Sequence, residues 1–365
     1  MGKPKVGLNE QRCRRLVDSA IEKFSLDLSG LVVLTEAASG NFSLTPLIAA
    51  VAGAERVVAI GRDSRYGRMP EIRAALHSIS RNWGVDGRIA VIESRADPLV
   101  QEADTVTNLG FVRPFDAEFL ARLKSTAAVS LMWETWEFRA EEFDLQACRK
   151  LGLAVLGTNE DHVELQTYAY LGHVAIKLLF ELDVEVFRSK LVIVGSGKFA
   201  TSICKILKNS GADSVDIVTP AKDMKTHPGW YSADGVVIAE HRMHELLFGA
   251  TGLIDPEWLA KANPGVGVVH ICGNVDEASL TRSGLRYVPT PIARRGYMSV
   301  TTDYIGPRPL IDLHAAGLKV GEMLARRRLD GFSAIDAERL VLSESTIAQG
   351  FEGAHQTVST RGVSE

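Results

Sequence analysis

Leu191-Val192-Ile193-Val194 is a short apolar run, and Gly195-Ser196-Gly197-Lys198-Phe199-Ala200 follows it directly, opening a segment, TSICKILKNSG, with helical spacing. G-x-G-x-x-A between a strand and a helix is the setting in which a glycine pattern marks a dinucleotide site. Gly195 permits the tight turn, Gly197 lets a pyrophosphate approach the backbone, and Ala200 lets helix and strand pack closely. The helix start adds free N–H groups and the positive end of a dipole. Ser196, Lys198 and Phe199 complete the turn. A tight turn without a ligand fits the same residues, as does another adenosine ligand such as S-adenosylmethionine.

The next strand-like segment, SVDIVTP, ends in Thr219 where an acidic residue would hold the ribose hydroxyls of NAD. Lys222 and Lys225 follow, two cations placed for a 2′-phosphate, so NADP is favoured over NAD, with Asp223 left as an alternative ribose partner. Cys272 and Asn274, at the end of the strand-like GVGVVHIC, complete the cofactor-binding set.

Other residues have the types needed to move a proton or hold an anion. Trp133-Glu134-Thr135-Trp136-Glu137-Phe138-Arg139 sets two indoles beside two carboxylates, and a carboxylate desolvated against an indole becomes a usable acid or base. Glu36, before Ala38-Ser39-Gly40-Asn41, is a comparable proton carrier, and so are His270 within VVHIC and His314 on a late helical stretch. Solvated charges or core histidines are the plainer readings of these five. Arg62, Arg65, Arg139, Arg294 and Arg295 supply guanidinium forks for a carboxylate or phosphate. Alternation puts His270 and Cys272 on one strand face, and His241 and His244 stand at i, i+3 in an expected helix. Neither pair has a third ligand, so no metal is expected.

These residues need a frame. LVVLTE (31–36), RVVAIG (56–61), RIAVIE (88–93) and AAVSLMW (127–133) are apolar runs separated by helix-like stretches, after a first amphipathic segment with Cys13, Leu16, Val17, Ala20, Ile21 and Phe24 at helical spacing. Strands alternating with helices predict an α/β protein with parallel sheets, its ligands at the carboxyl ends of the strands. A long helix is expected over 162–182, a second αβ series from 190 to about 291, a helix over 310–327, and an ambiguous polar tail after Gly331. The expected organisation is two Rossmann-like/flavodoxin-like domains with a cleft between them. Residues 1–160 with 305–365 form the substrate domain, and 161–304 the dinucleotide domain.

Composition fits this class and excludes others. With 41 basic and 45 acidic residues the chain has a formal charge of -4, so no basic field points to nucleic acid. No run reaches the length of a membrane span and the start, MGKPKVGLNEQRCRR, lacks a signal peptide's apolar stretch. Four scattered cysteines form no C-x-x-C pair, and a cytoplasmic location is expected.

The segment FDLQACRKLGLAVLGTNEDHVELQTYAYLGHVAIKLLF (143–180), followed by GSGKFA, resembles the D-2-hydroxyacid dehydrogenase (formate/glycerate dehydrogenase-like) superfamily in its helix, short strand and long crossing helix. The resemblance implies a split catalytic domain, an inserted cofactor domain, hydride transfer between NAD(P) and a small anionic substrate, and a homodimer. The chain departs from the family at its chemistry. Cys272 precedes Gly273 where the family has Arg, Ile292 follows Thr290-Pro291 where it has His, and SLTRSGLRYVP is too short to hold the acidic partner. The family's three catalytic residues are therefore not carried over. A non-redox transferase or lyase and a nucleotide-sensing protein stand as alternatives.

Overall fold

The computed structural model describes residues 8–221 and 224–351. The chain divides into two compact units, one taking it to Leu165 and resuming at Pro307, the other being Gln166–Gly306. In the first unit the order is α1 (Glu10–Phe24), β1 (Val32–Glu36), α2 (Leu44–Val51), β2 (Arg56–Ile60), α3 (Met69–Asn82), β3 (Ile89–Ile92), β4 (Thr105–Thr107), α4 (Ala117–Leu120), β5 (Ala128–Ser130), α5 (Leu145–Leu151) and β6 (Ala154–Thr158). The second unit holds α6 (Thr167–Glu181), β7 (Lys190–Gly195), α7 (Gly197–Asn209), β8 (Ser214–Val218), β9 (Gly235–Ala239), α8 (Pro256–Ala262), β10 (Gly267–Cys272), α9 (Glu277–Ser283) and β11 (Arg286–Val288). The chain then returns to the first unit as α10 (Arg308–Leu329), α11 (Ala334–Glu344) and β12 (Ala348–Gln349).

The first unit's sheet runs β12-β6-β5-β4-β1-β2-β3, parallel throughout except for β12, which lies antiparallel to β6. The second unit's sheet runs β11-β10-β9-β7-β8, all parallel. Parallel strands with helices on both faces must be apolar on both faces, and VVIA of β9 and LVIVG of β7 are buried along their length. The fold is the expected one, two Rossmann-like α/β units. Among the described residues no helix is long and apolar enough to cross a membrane.

Two helices show how the sequence fits each to its place. α1 is capped by Asn9, whose side chain accepts the N–H of Arg12 at 3.0 Å, and it buries Cys13, Leu16, Val17, Ala20 and Phe24 on one stripe. α10 lies close to the sheet because it carries glycine where it crosses the strands. A Cβ on Gly321 would stand 2.3 Å from Thr105 Oγ1, and one on Gly317 would stand 2.4 Å from Met132 Sδ.

Several sequence expectations are corrected. The long helix begins at Thr167 and not at 162, since Gln166 takes the left-handed conformation at φ 48° and residues 159–165 form turns. His241 and His244 lie in an irregular loop, fixed by side-chain bonds that compete with a helix. A register shift between His270 and Cys272 breaks the alternation that was to put them on one face. The tail after Gly331 is structured as far as it is described, with Ser333 capping α11.

Candidate functional site

In the second unit, Gly195 ends β7 level with Ala239 of β9, and a Cβ there would lie 2.5 Å from the Ala239 carbonyl oxygen. Gly197 starts α7 at φ +61°, a backbone conformation that disfavours side chains. Ser196, the N-cap, makes no side-chain capping bond, so its hydroxyl does not occupy the first N–H groups of α7. Phe199 and Ala200 are buried. Phe199 stacks on His241 with ring centroids 4.2 Å apart and lies 5.5 Å from the Tyr168 ring. Lys198 is exposed, its Nζ 5.5 Å from the centroid of Tyr168.

Sequence reasoning missed Arg242 here. Its guanidinium carbon and both terminal nitrogens lie 3.4–3.6 Å from where a Cβ of Gly197 would be. A basic residue three positions past β9, the strand neighbouring β7, was the available signal. Of the other expected cofactor residues, Thr219 is exposed one position past β8, and Cys272 is buried at the end of β10. The Asn274 carboxamide donates to the His244 carbonyl at 2.9 Å. Lys222 and Asp223 lie outside the described residues. Lys225 stands 5.9 Å from the Trp258 ring centroid.

In the first unit, candidate residues gather at the carboxyl ends of the strands. Glu36 ends β1 and is only 4% exposed, with Oε2 accepting the N–H of Phe111 at 3.1 Å. Burial pushes its pKa up to about 7, against the opposing pull of the Phe111 N–H and the Arg113 charge. Arg62, exposed after β2, stands 5.5 Å from the Phe111 ring centroid. Asn108, just past β4, accepts the N–H of Met132 at 2.8 Å.

Arg113 and Arg139 both lie over Trp133, at 5.0 and 5.6 Å from its ring, and both pair with Glu142. Glu134 is buried and accepts the indole N–H of Trp136. Glu137 is hydrogen-bonded to Glu160, which follows β6 at the same edge and to which the sequence alone assigned no role. Burial raises the pKa of both carboxyls, and the neighbouring Glu137 charge pushes Glu160 well above the usual range. Glu36, Glu134, Glu137, Arg62 and Arg139 are thus brought to one sheet edge.

Other candidates are held by contacts of their own. His270 is fully buried, its Nε2 donating to the Gly273 carbonyl at 3.1 Å, which leaves Nδ1 to accept from the Ser299 hydroxyl at 2.7 Å. Burial lowers its pKa to about 4. His314 on α10 is bonded to the Thr45 hydroxyl at 2.7 Å, and burial lowers its pKa to about 3. Arg65 lies on Tyr66 and Arg294 on Tyr297, and Arg295 is exposed. Among the described residues no group of three or more His, Cys, Asp or Glu could hold a metal ion, and the four cysteines are free and buried.

No family model matches the chain, and no curated protein matches it. Solved structures do. A dipicolinate synthase chain from Bacillus halodurans matches with a TM-score of 0.51 at 10% identity, over 79% of this chain and 96% of that one. Its counterpart from the dipicolinate synthase of Bacillus subtilis gives 0.48 at 10%, over 88% and 100%. The pyruvate reductase of Chlamydomonas reinhardtii gives 0.48 at 12%, over 83% and 98%. The likeness to the first of these extends over most of both chains, and at 10% identity what this chain shares with it is the fold.

Proposed function

We propose that this chain is an NAD(P)-dependent oxidoreductase acting on a small carboxylate metabolite, with the dinucleotide seated on Gly195–Ala200. One observation carries the reading: a strand-to-helix turn with a left-handed glycine and an N-cap that makes no side-chain bond to the helix start, as a pyrophosphate requires. At the first unit's sheet edge, Glu36 is the proton carrier, since a group with a pKa of about 7 both gives and takes a proton at neutral pH. Arg62, exposed beside Phe111, is the anion holder. Thr219, Lys222 and Lys225 favour NADP over NAD, and a cytoplasmic homodimer goes with the same reading, light scattering of the purified chain being the check on the dimer.

Calorimetric titration of the cofactor-stripped chain with NADPH, NADH and S-adenosylmethionine tests the reading. Binding of a nicotinamide dinucleotide, abolished by Gly197→Val in a protein whose circular dichroism is unchanged, is the expected result. Binding of S-adenosylmethionine alone, or of none of the three, would end it. A second reading, nucleotide sensing without turnover, draws on the burial of His270 and His314, both held neutral. Dinucleotide binding with no oxidised or reduced product across a screen of carboxylates would favour it.

A further inference from the structure

We infer that Arg242 is a diphosphate-binding residue, its guanidinium the counter-charge for the pyrophosphate of a dinucleotide lying on Gly197. The inference rests on the dinucleotide reading and deepens it, because the glycine pattern alone would give this role to Lys198. Lys198 lies against the ring of Tyr168, whereas three atoms of the Arg242 guanidinium stand 3.4–3.6 Å from the place a Gly197 side chain would fill. That place is where a missing side chain lets a phosphate approach.

The loop carrying Arg242 is held in position by features that do nothing else evident. Glu240 is 1% exposed, and its Oε1 accepts the N–H of Arg242 at 2.7 Å and that of Met243 at 3.2 Å. Its other carboxylate oxygen is buried without a hydrogen-bond partner among the described residues. His241 is stacked on Phe199 with 22° between the planes, and Ala239 is held level with Gly195 by the sheet. Three consecutive residues are thereby fixed by strand register, a buried carboxylate and a ring stack, with Arg242 following them over the turn.

Arg242 itself is exposed, and the bond it makes to Glu240 is through its backbone N–H, not its guanidinium. A guanidinium offers five N–H donors in a planar fork matched to phosphate oxygens. Here that fork stands over the start of a helix, where the backbone dipole adds its own positive end, so positive charge converges beside Gly197. A doubly ionised diphosphate balances it.

The test uses the full chain. NADPH, NADH, ADP and adenosine are titrated calorimetrically into wild type, Arg242→Met and Arg242→Lys at low and high salt. Arg242→Met weakens the dinucleotides and ADP about tenfold, as expected for loss of one charge-assisted contact. Its affinities also fall less steeply with salt, and adenosine binding does not change. Arg242→Lys keeps part of the affinity, since it retains the charge without the fork. If wild type binds a dinucleotide and Arg242→Met binds it equally well, the inference falls and the dinucleotide reading stands. If adenosine is weakened as much as ADP, the residue shapes the loop and not the phosphate site, and the inference also falls. A wild-type chain that binds neither dinucleotide removes the reading first and this inference with it.

Discussion

Replacing Glu36 with Gln removes one titration and almost no volume, and the structure gives the size of the effect. The carboxyl is 4% exposed, and burial raises its pKa from 4.5 to about 7. An unfolded chain ionises this group near 4.5, whereas the folded chain keeps the proton until about 7. Its neutral form therefore favours the folded state fully below pH 4.5, and that contribution is lost as pH rises from 4.5 through about 7. The difference of about 2.5 units, at about 1.4 kcal/mol per unit, comes to about 3 kcal/mol. The Gln variant stays neutral and can still accept the Phe111 N–H. It should match wild type near pH 4.5 and exceed it by up to about 3 kcal/mol at pH 8. Urea unfolding of both proteins across this range, followed by tryptophan fluorescence, measures the difference at each pH. A stability difference that does not change with pH would refute the raised pKa and, with it, the case for Glu36 as proton carrier.

Further outcomes follow from the same geometry. His314 has its pKa lowered from 6.5 to about 3, so the stability of its neutral form is present above 6.5 and lost as pH falls toward 3. His314→Gln should therefore shift the acid-unfolding midpoint downward in circular dichroism, and an unmoved midpoint would contradict this. Gly321→Val forces a methyl-bearing carbon to within 2.3 Å of Thr105 Oγ1 and should cost at least about 1–3 kcal/mol, read as a lower Tm. Replacing Lys222 and Lys225 together with Ala should weaken NADPH and spare NADH, and equal weakening would remove the 2′-phosphate contact.

Much of the fold was legible because buried parallel strands are apolar on both faces, so LVVLTE, RVVAIG and the run before Gly195 stand out in the sequence. β4 did not stand out: Thr-Val-Thr is three residues long, and its Thr107 hydroxyl is satisfied by a bond to Thr35 across the sheet. β12 is two residues and depends on β6 for its pairing. At the sheet edge, Glu36, Glu134 and Glu137 were readable as residues that follow strands. Their pairings were not, because Phe111, Arg113 and Glu160 reach them through tertiary contacts that no spacing encodes. Arg242 was legible only as a basic residue soon after a strand: its place over Gly197 comes from the pairing of β9 with β7 and from a carboxylate buried two residues earlier.

The return of α10 to the first unit fixes an order of events during synthesis. Strands β1 to β6 are complete by Thr158, but the helix whose Leu318, Val320 and Leu324 are buried in that unit's cores is not made until residue 329. The second unit is contiguous from Gln166 to Gly306, so it has everything it needs earlier. A nascent chain therefore emerges from the ribosome with the later-encoded unit able to fold first, while β4, β5 and β6 wait for the helix that packs on them. Chaperone demand should concentrate on that interval, and a frameshift or early stop between residues 306 and 329 should yield aggregate and not a working fragment.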